Sequence, residues 1–225
     1  MSTYIKQIPW KKSRKFGDIY GGRVRLRVVG NIFQRLHNLQ APSENDELPI
    51  LIEDNASRDF IFPLSGIEVV EALKALPKKD YKGITHVWLR RAKKSEFDSL
   101  PLAEFICGGG VRVIILYPWD KSLTENFGIQ KPPLKFFREY MKYNVAIKKS
   151  GSSWVCKWNL DSLKKYYVHS LLYHEVGHHV DEYLRCWTKA NIKQCEEYAD
   201  QYAFQKSVTA TYVVNNLKDK DKNPV

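Results

Sequence analysis

The spacing of apolar positions changes along this chain, and the change divides it. Alternation marks Gly22 to Gly30, Leu48 to Glu53 and Asp59 to Phe62 as strands. The polar stretch Gln40 to Glu47 reads as a loop, and Ser65 to Leu76 as a helix that Pro77 stops. Further strands are predicted at Ile84 to Arg90, Leu102 to Ile106 and Val111 to Tyr117, with Cys107-Gly108-Gly109-Gly110 as a flexible connection between the last two. Pro132 to Tyr143 has helical spacing, and Val145 to Lys149 and Ser153 to Trp158 flank Ser150-Gly151-Ser152 as a hairpin. A long helical run then begins, with Asp161 as its cap, and no Pro or Gly interrupts it before Gly177. A second helix is expected from about Glu196 to Thr209, and a disordered charged tail over 218–225. The pattern predicts an α+β fold. Residues 1–80 form a β-rich N-terminal portion, separate or packed on the rest, and residues 81–217 a helix-and-sheet part.

Within the long run, Leu163, Tyr167, His174, His178 and Asp181 fall along one stripe, and Val168, Leu172, Val176 and Val180 along a second, apolar one. The motif His174-Glu175-Val176-Gly177-His178 sits there. Histidines four apart share a helical face, so their imidazole nitrogens can meet at one ion, with Glu175 beside them to take a proton from water. A hydrolytic zinc needs a third protein ligand and an open position. Downstream, Glu196 and Asp200 are four apart and share a face: Glu196 as metal ligand, Asp200 as acceptor for the free ring N–H of a ligand histidine. Glu197 points about 100° away and is the reserve ligand. Gly177 weakens the helix, and a residue without a side chain there lets a neighbouring backbone come close.

These residues resemble the gluzincins, the zinc metallopeptidases with HExxH on one helix and a glutamate ligand on the next. Glu196-x-x-Ala199-Asp200 is similar to the E-x-x-A-D/N signature of several gluzincin families, the soluble ImmA/IrrE-like peptidases among them. The resemblance covers residues 160–208. It implies a zincin-like catalytic part (small mixed sheet, HExxH helix, glutamate-bearing helix), a Zn2+ cofactor and a protein or peptide substrate. It also implies a sheet edge that pairs with extended substrate, a place Val111 to Tyr117 resembles by position, with an ordinary interior strand as the alternative. Gluzincins supply an oxyanion donor from Tyr or His, and Tyr198, Tyr202 and His169 are the candidates here.

Other residues add less. His179 points off the ligand face, His37 and His86 are remote, and Asp181 either orients a histidine or faces water. Cys107, Cys156, Cys186 and Cys195 form no C-x-x-C pair, so reduced thiols are expected, although Cys195 adjoins Glu196 and a thiol cap on the metal is conceivable. The net charge of +11 gathers at Lys11 to Lys15, Arg23 to Arg27 and Arg90 to Lys94. Such patches can hold nucleic acid or an acidic partner, or serve as solvated surface. No apolar run is long enough to span a membrane, and Met1 to Lys15 lacks the apolar core of a secretory signal, so no membrane partner and a cytoplasmic location are expected. Two rivals stand beside the peptidase: a nucleic-acid-binding protein with a structural zinc, and a catalytically silent zincin that binds peptides.

Overall fold

In the computed structural model, residues 39–92 and 101–222 are described. The strand expected at Gly22 to Gly30, the basic clusters at Lys11 to Lys15 and Arg23 to Arg27, and His37 lie outside those residues, as do Lys93 and Lys94.

The fold is α+β: small sheets with several helices packed on them. Strand β1 (Ile50–Glu53) leads through short β2 (Phe60–Ile61) into helix α1 (Gly66–Lys74). Ser65 starts α1 with a capping box: its hydroxyl accepts from the Glu68 N–H, and the Ser65 N–H donates to the Glu68 carboxylate at 2.7 Å. A short helix α2 (Lys78–Tyr81) follows, then β3 (His86–Leu89), β4 (Ala103–Gly108) and β5 (Val111–Leu116). The main sheet has the order β1-β3-β5-β4, with β1, β3 and β5 parallel and β4 antiparallel to β5. Residues 50–89 are thus a β-α-β unit of the same sheet that carries β4 and β5, and position 80 is no boundary in the fold.

The sheet also decides one open reading and corrects one expectation. β5, from the predicted strand Val111 to Tyr117, is interior. Its unbroken run Val113-Ile114-Ile115-Leu116 is fully buried because both faces are covered. β4 is an edge strand, as is β1, and pairs with β5 alone among the described residues. The Gly connection is not a flexible linker but a tight hairpin turn: Gly109 and Gly110 have φ of +56° and +80°, the left-handed values a two-residue turn demands at both central positions.

After β6 (Trp119–Asp120), which pairs with β2, a second sheet of order β7-β9-β8 forms from β7 (Thr124–Gly128), β8 (Lys148–Ser150) and β9 (Ser153–Lys157), with helix α3 (Leu134–Met141) on it. Trp119, Tyr140, Tyr143, Trp158 and Tyr166 interlock edge to face where this sheet meets the core.

The long helix runs as α4 (Leu160–Tyr166), a π-helical stretch (Tyr167–Leu172) and α5 (Tyr173–Leu184). Its cap is Asn159, which accepts from the Ser162 N–H at 2.8 Å. Asp161 lies in the first turn, where its charge suits the helix dipole. A single-turn 3-10 helix (Lys189–Asn191) precedes α6 (Ile192–Gln205), and α7 (Ser207–Lys222) follows after a break at Lys206. The expected single helix over 196–209 is therefore two, and helix replaces the disordered tail as far as Lys222. Ala210, Val213, Val214 and Leu217 anchor α7 in the core, and extending an anchored helix costs little. Among the described residues no helix is long and apolar enough to cross a membrane.

Candidate metal centre

α5 and α6 pack closely because Gly177 is small. A Cβ at Gly177 would lie 2.7 Å from the Ala199 Cα and 3.1 Å from its carbonyl oxygen, so the two backbones nearly touch. That contact sets the α5 face bearing His174 and His178 against the α6 face bearing Glu196 and Asp200. His174 Nε2 lies 3.4 Å from one carboxylate oxygen of Glu196, and His178 Nε2 lies 3.6 Å from the other. Ligand atoms of His174, His178 and Glu196 all lie within 4.8 Å of one another. Zinc bonds of 2.0–2.1 Å in a tetrahedron set ligand atoms about 3.3 Å apart, so the two imidazoles and the carboxylate fit one zinc ion. Both histidines present Nε2. His174 Nδ1 then donates to Asp200 at 2.9 Å, which fixes its tautomer. Glu197 faces away and pairs with Lys193 at 3.5 Å.

Burial and charge distinguish the members. Glu175 is 7 % exposed. Burial lifts its carboxyl to about 7 against the pull of His174, and a backbone N–H of Phe105 on β4 also acts on it, which sets the group against the sheet edge. Burial pushes His178 down to about 4, and the neighbouring His174 adds to the effect. Burial would lower His174 too, but its bond to Asp200 and the nearby carboxylates of Glu175, Asp200 and Glu196 outweigh it and raise its pKa. Glu196 is half exposed, so the cluster opens to solvent on the α6 side.

No protein-family model and no solved structure matches the chain. Its functional reading rests on its own residues.

The three oxyanion candidates do not join the cluster. Tyr202 donates to Asp80 at 2.8 Å and Tyr198 stacks beneath Arg185. Both line a groove with Pro77, Val180 and Lys206, on the face of α6 opposite Glu196 and Asp200. Helical spacing explains it: positions 198 and 202 stand about half a turn from 196 and 200. His169 lies in the π-helical stretch, buried, with Nδ1 2.7 Å from the Tyr143 hydroxyl. Cys195 is buried and directs its thiol to Asn191 at 3.9 Å. Burial, and next the nearby Asp181, raise its pKa, which disfavours the thiolate a metal cap requires. Asp181 neither bonds a ligand histidine nor meets water: it is fully buried, 2.6 Å from Arg185 Nε, and accepts from the Trp187 indole at 3.0 Å. Arg90, from the third basic cluster, donates to the Tyr117 hydroxyl at 3.0 Å.

The wall of the site was not legible beforehand. Trp187, in the loop between α5 and α6, sets its ring edge against His178 with centroids 5.4 Å apart. Phe105 of β4 packs on Trp187 from the other side at 6.0 Å. Neither residue carries a motif, and a loop tryptophan has no periodicity to reveal it.

His179 fastens the back of α5. Its Nε2–H donates to the Lys82 carbonyl at 3.1 Å, and Arg112 of β5 donates to its Nδ1 at 3.3 Å while also pairing with Glu182. Burial drives its pKa down to about 4. A histidine held neutral in the fold but basic when unfolded stabilises above pH 6.5 and loses that contribution as pH falls towards 4. His178 behaves likewise in metal-free protein, and burial lowers His86 and His169 as well. Glu175, raised to about 7, acts in the opposite sense, as do Glu125 and His174, whose values are also raised, but the large drops at His178 and His179 together outweigh them. The metal-free protein should therefore melt lower at pH 5 than at pH 7, by about 2–4 °C. His179→Gln should flatten that slope. A melting temperature independent of pH over this range would contradict the assignment.

Proposed function

We propose that the protein is a zinc-dependent peptidase of the gluzincin type, with a zincin-like catalytic part. One observation carries the reading: two Nε2 atoms from one helix and a carboxylate from the next converge with the spacing of a tetrahedral zinc site, and the buried Glu175 stands beside them. Zinc held there supplies Lewis acidity, polarising a carbonyl and making water acidic enough to ionise near pH 7.

The chain's own groups divide the remaining work. Glu175, in its carboxylate form, accepts the proton as water adds to the peptide carbonyl, and then delivers it to the leaving amine. A carboxyl whose pKa burial has raised is well matched to both transfers, because it holds a proton near neutrality and gives it up readily. Asp200 holds His174 in the Nδ1–H tautomer. β4, a sheet edge among the described residues and beside Glu175, is where an extended substrate adds as a further strand, with its backbone N–H and C=O groups paired to the edge.

The reading predicts one zinc per chain by metal analysis of the purified protein. Incubated with an unfolded protein such as casein, it should release new peptides. A chelator should abolish the release, and added zinc should restore it. Zinc-replete protein that leaves casein and the proteome of its own host intact would favour the silent, peptide-binding alternative.

A further inference from the structure

The two histidines of the cluster are held in place by different means. His174 is oriented by a hydrogen bond, from Nδ1 to Asp200 at 2.9 Å. His178 Nδ1 is buried and has no hydrogen-bond partner among the described residues. A metal-bound imidazole is ordinarily fixed by an acceptor on its second nitrogen. Something else must hold this ring.

Aromatic packing does so. The His178 ring lies between two others, each nearly perpendicular to it: His174 at 4.6 Å and 86°, and Trp187 at 5.4 Å and 74°. Trp187 is in turn fixed from three directions. Its indole N–H donates to Asp181 Oδ2 at 3.0 Å, Phe105 of β4 packs on its ring at 6.0 Å, and Arg185 draws the same loop onto Asp181 at 2.6 Å. Asp181 is wholly buried. A buried carboxylate is costly unless well paired, and here Arg185 and Trp187 of one loop pair with it. The carboxylate thereby clamps that loop to α5 one turn beyond His178.

We propose that Trp187, tethered by Asp181, is a positioning residue that aims His178 Nε2 at the metal by ring packing, in place of the hydrogen bond His178 lacks. This rests on the zinc reading of the site. The packing limits the rotation of the imidazole about its own bonds, so that Nε2 stays directed at Glu196. Losing it leaves the ligand in place but free to turn.

The test measures zinc affinity by competition with a chromophoric chelator, together with the visible absorption of the cobalt-substituted protein, for wild type, Trp187→Ala, Trp187→Leu and Trp187→Phe. Circular dichroism checks that each variant is folded, and Trp187→Leu keeps bulk on the loop should the alanine variant not fold. Removal of the ring should weaken zinc binding about 10- to 100-fold, as loss of supporting groups around a metal site does. It should also alter the cobalt spectrum, a readout that a merely structural role would not move. Trp187→Phe keeps a ring against His178 but loses the indole N–H to Asp181, so its affinity should fall between those of the wild type and the alanine variant. Unchanged affinity and spectrum in the alanine and leucine variants would overturn the inference. So would a phenylalanine variant as weak as those two. Wild-type protein that binds no zinc would instead overturn the metal reading itself.

Discussion

Glu175→Gln should abolish peptide hydrolysis and leave zinc in place. The amide is the same size as the carboxylate and removes only the ability to accept and return a proton. General-base catalysis contributes about 10²–10⁴-fold, so kcat should fall by that factor with KM little changed. Zinc content should stay at the wild-type level because Glu175 is not among the three converging ligands. The metal-free variant should also be slightly more stable than wild type at pH 8. Burial raises the native Glu175 carboxyl to about 7, so ionising it in the fold costs free energy that glutamine does not incur. A glutamine variant that cleaves at the wild-type rate would remove Glu175 from the mechanism. One that lost its zinc would instead move Glu175 into the ligand set. Comparing cleavage products in cells expressing wild type or this variant would also name the substrate.

The second large effect is expected at Gly177, and two opposing terms decide its sign. Gly177→Ala gains about 1 kcal/mol of helix propensity. Against this, the new Cβ would sit 2.7 Å from the Ala199 Cα, an approach real Cβ atoms do not make. The obstacle is backbone, which cannot rotate aside as a side-chain tip could. Overpacking costs about 1–3 kcal/mol, and more where nothing yields, so the loss prevails. α6 must move outward to relieve the clash, and Glu196 moves with it, away from both imidazoles. The alanine variant should melt lower than wild type and bind zinc at least about tenfold more weakly, and Gly177→Val should be worse on both counts. Ala199→Gly in the same chain should partly restore affinity by removing one of the atoms in the way. An alanine variant that melts higher and keeps its zinc would show that the helices are free to separate without consequence.

Much of the fold was legible because its signals are local. Ser65 stands where α1 begins, and the helix carrying the motif exists where the periodicity of apolar residues places it, while the next one begins at Ile192 and breaks at Lys206. The spacing of His174 and His178, and of Glu196 and Asp200, needs only the pitch of a helix. Glycine at 177 already implied a close backbone neighbour. Other readings failed or stayed open where the deciding partner is distant in sequence. Val111 to Tyr117 resembles a sheet edge by its place before the motif and an interior strand by its continuous apolar run, and only the order of strands decides for the interior. The alternation of Ala103 to Cys107 suits the edge better. Tyr198 and Tyr202 were proximate in sequence to Glu196, but the turn of the helix points them at Asp80 and Arg185 instead.

By itself the sequence determined which atoms can bind a metal and on which helical faces they stand, since those depend on the covalent order and the pitch of one helix. Only the tertiary structure decided that Glu196 and not Glu197 meets the imidazoles, that Asp200 takes the His174 N–H, that β4 borders Glu175 and that Trp187 closes on His178. Each of these is a contact between elements, set by how closely α5 and α6 pack at Gly177 and by the order of strands in the sheet, and no period within a single segment encodes it.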